Sequence, residues 1–194
     1  MRTNKAKILI AASEIFSETG ASGLSVRAIS GRAGLSTMGI YNHFQGKQGI
    51  LDALYIEGFE LVMQAIRIDE TGLGPREAVL HGLANYIEMA RVHRGHYELI
   101  FGRGDPAYTP SSGAIAVGAE AFNRLTHMIA RAIPVTLSGR QKREAALQIW
   151  ALTHGYISLQ DHEATDLIPK AAWRDLIMNA VTVHLDALIS NHSN

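Results

Sequence analysis

Apolar residues recur at helical spacing from one end of this chain to the other, and no stretch alternates with period two for long enough to make a strand. Ile8, Ala11, Ala12, Ile15, Phe16 and Thr19 share one face of a helix that Thr3 or Asn4 can cap. Gly20 suits the left-handed position past its end. Ser25 caps a second, short helix that buries Val26, Ile29 and Ala33 and stops at Gly34. Ser36 caps a third with Ile40 and Phe44 on its inner side, and Gly46 breaks the chain again. Two short helices across a tight glycine turn form a helix-turn-helix. A long amphipathic helix is predicted from Lys47 to about Ile68, followed by a linker from Asp69 to Pro75. Beyond it lie a helix to about Val92, a short apolar segment Tyr97 to Phe101, and a loop Gly102 to Gly113. Three further helices are expected, at about 114–133, 141–159 and 169–189. The fold class is therefore all-α, about nine helices in all.

A chain of 194 residues accommodates one ordinary domain, or a small module fused to a larger one. Cysteine is absent, which removes disulfide frameworks, thiolate metal sites and cysteine nucleophiles. The apolar run Ile8 to Ala12 is too short for a secretion signal or a membrane span, so a cytoplasmic protein with no membrane partner is expected. The charge sums to zero but is unevenly placed. Residues 1–50 carry six basic side chains against Glu14 and Glu18, and no acid stands between Glu18 and Asp52. A basic first quarter on an acidic remainder fits an anion-binding module joined to a separate core.

The helix starting at Ser36 leaves Thr37, Met38, Gly39, Tyr41, Asn42 and His43 outward to varying degrees. That set is short, polar or aromatic, and lacks a carboxylate, which suits a DNA major groove. Gly39 inside a helix costs about 1 kcal/mol relative to alanine, and close approach of the backbone to another surface would compensate. Helix starts ordinarily attract acids. Here Arg27 and Lys47 occupy first turns and no acid follows Ser36, leaving three positive helix ends as natural phosphate sites.

The run from Leu24 to Phe44, with its Ala33-Gly34-Leu35-Ser36 turn and its Ile40-Tyr41-Asn42-His43-Phe44 segment, then Lys47 and Leu51, resembles the DNA-binding region of TetR/AcrR-family transcriptional regulators. The resemblance covers roughly residues 5–55. It implies a DNA-binding domain over residues 1–46 and a helical ligand-binding and dimerisation domain over 47–194. Ser25 and Arg27 would then meet phosphate or a base edge. Thr37, Met38 and Asn42 would face bases, with Tyr41, His43 and Lys47 on phosphates. It further implies a homodimer through the last two long helices, whose stripes hold Ile149, Trp150, Thr153, Tyr156 and Ile157, and Trp173, Ile177, Ala180, Val181, His184 and Leu188. Two reading heads about a dyad call for a palindromic operator. A largely apolar effector would enter the body and release the DNA. Its expected lining is Met63, Tyr86, Met89, His93, Tyr97, Phe101, Phe122 and Met128, with methionine adapting to irregular ligands.

Catalytic patterns fail. His162-Glu163 opens like a zincin helix, but Asp166 stands where the second histidine belongs. His93 and His96 lack a clear third ligand, and no phosphate loop or nucleophile elbow is present. Neither enzyme nor metal nor cofactor is expected. The alternative function is a helical ligand- or partner-binding dimer that no longer reads DNA; Tyr41, Lys47 and the acid-free head weigh against it.

Overall fold

A computed structural model describes residues 3–67, 72–101 and 107–190. Residue 68 at the end of the expected long helix, 69–71 of the expected linker and 102–106 of the expected loop lie outside the described residues. Among the described residues the chain forms nine α-helices and no strand. They are α1 (Asn4–Gly23), α2 (Val26–Ala33), α3 (Thr37–Phe44), α4 (Lys47–Ala65), α5 (Pro75–Val92), α6 (Arg94–Ile100), α7 (Ser112–Ala130), α8 (Gly139–Leu159) and α9 (Trp173–Ser190). None of the described helices is long and apolar enough to cross a membrane.

Two compact units result, residues 1–61 with 90–120 and residues 62–89 with 121–194, so α4, α5 and α7 each contribute to both. The first unit is built on the inner faces of α1, α2 and α3. Ile8, Phe16, Ile29 and Ile40 are sealed from solvent with Ile50, Leu51 and Leu54 of α4, and Leu99 of α6 joins the same core. At about 25 cal/mol per Å² of apolar surface, each such side chain contributes on the order of 2 kcal/mol. Phe16 meets the ring of His96 edge-on at 5.8 Å. His96 is 2% exposed, and its Nε2 lies 3.2 Å from a Glu57 carboxylate oxygen.

The second unit centres on Leu83, Ile129, Ile149, Ile177 and Leu185, all fully buried. Ser138 and Gln141 close a reciprocal capping box at the start of α8. Arg76 grips Asp186 with two parallel hydrogen bonds, Nε at 2.6 Å and Nη2 at 2.8 Å, tying the first turn of α5 to α9. The Arg76 guanidinium holds the Asp186 carboxyl below its ordinary range.

Three boundaries depart from the sequence reading. Gly20 does take a positive φ (66°), but helical structure resumes for one more turn through Gly23. Arg94–Ile100 is a true helix where only an apolar segment was expected. The last helix starts at Trp173, because Pro169 first caps a 3₁₀ turn over Lys170–Ala172.

Candidate nucleic-acid interface

The helix-turn-helix is assembled by its caps. Ser25 Oγ accepts from Ala28 N at 3.1 Å, and Ser36 Oγ accepts from Gly39 N at 3.2 Å. Between the two helices Gly34 adopts left-handed geometry (φ 65°, ψ 35°), and Leu35 N donates to Ser30 O at 3.0 Å. This closes α2 with a Schellman-type turn and delivers Ser36 to the start of α3. Ile40 and Phe44 anchor α3 in the core. The opposite face carries exposed Thr37, Met38, Tyr41, Asn42 and His43, with Met38 66% and Tyr41 54% open to solvent. Amide, hydroxyl and methyl groups at those positions have the donors, acceptors and apolar contacts that distinguish base edges.

Electrostatics sharpen the picture. No acid occupies the first turn of α2, α3 or α4, so no carboxylate of its own first turn offsets the positive end of any of the three. Each cap hydroxyl uses a lone pair inward and retains a proton for a phosphate oxygen. Arg27 is exposed, and Lys47 is half-buried at the start of α4. Charge counting places Arg32 with the basic residues of the first quarter, and the structure pairs it with acids. Arg32 forks onto both Glu18 oxygens at 3.0 and 2.9 Å, and reaches Glu14 at 3.5 Å. The guanidinium holds the Glu18 carboxyl below its ordinary range. Both acids of the first quarter thus lie on α1 against one arginine of α2.

Gly39 gains a specific meaning. A Cβ built there would meet only Ser36 Oγ at 3.7 Å, ordinary contact distance. Nothing inside the subunit requires a glycine. The glycine leaves a bare stretch of backbone on α3, next to the exposed side chains of Met38 and Tyr41, where another surface has room to approach. Gly39→Ala is expected to raise stability by about 1 kcal/mol, roughly 2–4 °C in Tm for a chain of this size. DNA affinity should fall about tenfold, about 1.4 kcal/mol. Thermal melts and duplex titrations of one preparation check both signs, and unchanged affinity would reject the outward reading.

Residues that the sequence reading missed hold α4 in place. Asp52 accepts from Tyr108 Oη at 2.8 Å and Ser111 N at 2.9 Å, and it also accepts from the Ser111 hydroxyl. Gln48 Nε2 donates to Ala107 O at 3.1 Å. Partial burial pushes the Asp52 carboxyl upward, but these hydrogen bonds outweigh it and hold the carboxyl below its ordinary range. Burial and the bond to Asp52 push the Tyr108 phenol up. The segment 107–111 straps the first turns of α4, the helix that follows α3 after two residues.

The expected effector and dimer residues separate into groups. His93, Tyr97 and Phe101 belong to the first unit; Met63, Tyr86, Met89, Phe122 and Met128 belong to the second. In the first, the His93 and His96 rings lie 6.1 Å apart and Tyr97 packs on Phe101 at 4.7 Å. Burial and the neighbouring His96 push the His93 imidazole below its ordinary range. Glu98 accepts from Arg94 at 2.8 Å, and no three metal-ligating side chains converge among the described residues. In the second unit Trp150 turns inward. Its Nε1 donates to Tyr86 Oη at 3.0 Å and its ring stacks on Phe122 at 5.6 Å. Ile149, Thr153, Trp173, Ile177 and Val181 are buried by their own chain. Tyr156, Ile157, Ala180, His184 and Leu188 are half-buried, and the exposed apolar side chains of α8 and α9 include Leu147, Leu159 and Val183.

Residues 8–54 match the model described as bacterial regulatory proteins, tetR family, and residues 78–181 match the tetracyclin repressor-like C-terminal domain. A helix-turn-helix-type transcriptional regulator of Mycobacterium tuberculosis, itself uncharacterized, is 24% identical over 160 residues, covering 80% of this chain and 69% of that protein. A tetR-family transcriptional regulator of Streptomyces coelicolor superimposes with a TM-score of 0.76 at 16% identity, over 98% of this chain and 89% of that one. A TetR variant of Acinetobacter baumannii, solved in complex with minocycline, gives 0.67 at 15% identity over the whole of both chains.

Proposed function

The chain belongs to the tetR family of bacterial regulatory proteins, and on that premise we propose that it is a ligand-responsive transcriptional regulator, a repressor that binds a palindromic operator as a homodimer. The observation that carries this reading is α3 itself. It is an eight-residue helix anchored by two buried side chains, with an acid-free outer face and acid-free helix starts around it. Residues 1–46 form the DNA-binding head. Thr37, Met38 and Asn42 face bases, Ser25, Arg27, Ser36, Tyr41, His43 and Lys47 hold phosphates or the adjoining edges, and Gly39 permits the approach. Residues 47–194 supply dimerisation through α8 and α9 and bind the effector.

The family match over residues 78–181, which takes in α8 and half of α9, supports that pairing. The minocycline held by the Acinetobacter protein supports a small-molecule effector. Release would follow if an effector re-aims α4, which contributes residues to both units and begins two residues after α3.

Selection of bound duplexes from a random pool, followed by sequencing, tests the reading. The expected product is a sequence with dyad symmetry, and Asn42→Ala is expected to change the preferred bases while Tyr41→Ala weakens all duplexes alike. A pool that emerges unenriched would reject DNA reading in favour of a helical binding dimer.

A further inference from the structure

By its own sequence α7 starts with half a capping box. Ser111 precedes its first residue; the Oγ accepts from Ala114 N at 3.2 Å, and the carbonyl oxygen accepts from Ile115 N at 2.9 Å. A full box also needs an acceptor for the cap residue's own N–H, ordinarily a Glu or Gln three residues on. α8 has one in Gln141, whose Oε1 accepts from Ser138 N at 3.0 Å. In α7 that position is the buried Ala114, and no acid stands in the first turn. Asp52 of α4 supplies the missing half. Its carboxylate accepts from Ser111 N at 2.9 Å, from the Ser111 hydroxyl, and from Tyr108 Oη at 2.8 Å. The contact also sets a register. Seven residues past Asp52, the Phe59 ring lies where Gly118 stands seven past Ser111, and a Cβ at Gly118 would come 3.1 Å from that ring. The two helices thus run side by side in one direction for two turns within the first unit. Sliding α4 by one turn would carry the carboxylate about 5.4 Å away from all three donors.

We propose that Asp52 is a positioning residue for α3: by completing the cap of α7 it fixes the height of α4, and through the Gln45–Gly46 turn the stance of the helix that meets DNA. The effect on DNA rests on the reading that α3 contacts bases; the shared cap does not. The placement explains an acid that charge alone disfavours. Asp52 is the first carboxylate after Glu18, in the helix that follows α3, and an anion there opposes a phosphate backbone. A positioning role and a bystander role therefore predict opposite signs when the carboxylate is removed.

The test is duplex anisotropy with full-length variants, using a sequence selected from the random pool, at a temperature where thermal melts show each protein folded. Asp52→Ala is expected to weaken binding about tenfold or more, although it removes an anion. Ser111→Ala and Tyr108→Phe change no charge and should weaken it about threefold, while Ser111→Thr, which keeps the hydroxyl, should stay within about twofold of the wild type. Asp52→Ala with Ser111→Ala should be no weaker than Asp52→Ala alone, because both remove one cap. Tyr108→Phe keeps its ring beside Tyr55, 5.9 Å away, and carries the test should Asp52→Ala not fold. Equal or tighter binding by Asp52→Ala, or single losses that multiply in the double variant, would overturn the proposal. Amide exchange of the free protein separates the cap from the DNA reading. Asp52→Ala, or Tyr108→Phe in its place, should speed exchange at Ser111, at Ile50, whose N donates to Gly46 O, and at Gln45, whose N donates to Tyr41 O. Gln141 in the α8 box serves as the unmoved control. A wild type that selects no duplex while these amides respond defeats DNA reading and leaves the positioning of α3 standing. Unchanged exchange at Ile50 and Gln45 overturns the positioning whatever the DNA result.

Discussion

Operator binding is expected to weaken about 10⁴-fold between about 50 and 200 mM salt, along a log–log slope near −7. The number follows from the head. Arg27 and Lys47 lie in the first turns of α2 and α4, and Lys5 and Lys7 in the first turn of α1. Lys5 Nζ lies 5.8 Å over the Phe44 ring at the end of α3, which places that turn beside the reading helix. Four cations per head make about eight phosphates neutralised by a dimer, and each contributes about −0.9 to the slope. Lys47→Ala should flatten the slope by about 2, one phosphate for each head. Arg32→Gln should leave the slope unchanged, because that guanidinium faces Glu14 and Glu18. Fluorescence anisotropy of a labelled duplex across a salt series measures all three. A wild-type slope near zero would show that the head does not track phosphates, and an Arg32 effect equal to that of Lys47 would overturn the assignment of cations made here.

What could be seen in the sequence was local, and what was hidden acts across distance. Ile40 and Phe44, four apart, settle which side of α3 faces inward, and Ser25, Gly34 and Ser36 mark its approaches through short-range backbone chemistry. The left-handed residue before α4 was missed because Gln45 (φ 57°), and not only Gly46, adopts that conformation, and glutamine carries no signal for it. Arg32 is 14 residues from Glu18, and Asp52 is 56 from Tyr108; no periodicity relates such pairs. The broad stripes of α8 and α9 were legible as apolar. Periodicity cannot tell burial within a subunit from burial between two, and Trp150 shows how the first can absorb a residue assigned to the second.

Gly49→Ala is expected to be the most disruptive single-methyl change in the head, lowering stability by about 3 kcal/mol or more and abolishing DNA binding with it. Its neighbourhood explains the size. An alanine Cβ at this position in the first turn of α4 would fall 1.7 Å from the Phe44 carbonyl oxygen and 2.7 Å from its carbon. Those atoms are backbone, so no side-chain rotation relieves the overlap. Either α4 must slide away from the last turn of α3, or the Gln45–Gly46 turn must open. Both routes displace Ile50 and Leu51, which are 0% and 1% exposed in the core beneath α3, so packing is lost along with the turn. Gly39→Ala is the matched control: the same chemical change ten residues earlier, with only Ser36 Oγ in its way. The two should therefore diverge in sign, the first lowering the unfolding midpoint in a denaturant titration and the second raising it. Equal midpoints would mean that α3 and α4 do not approach as closely as this geometry requires, and that α3 is not held at a fixed angle to the helix that carries it.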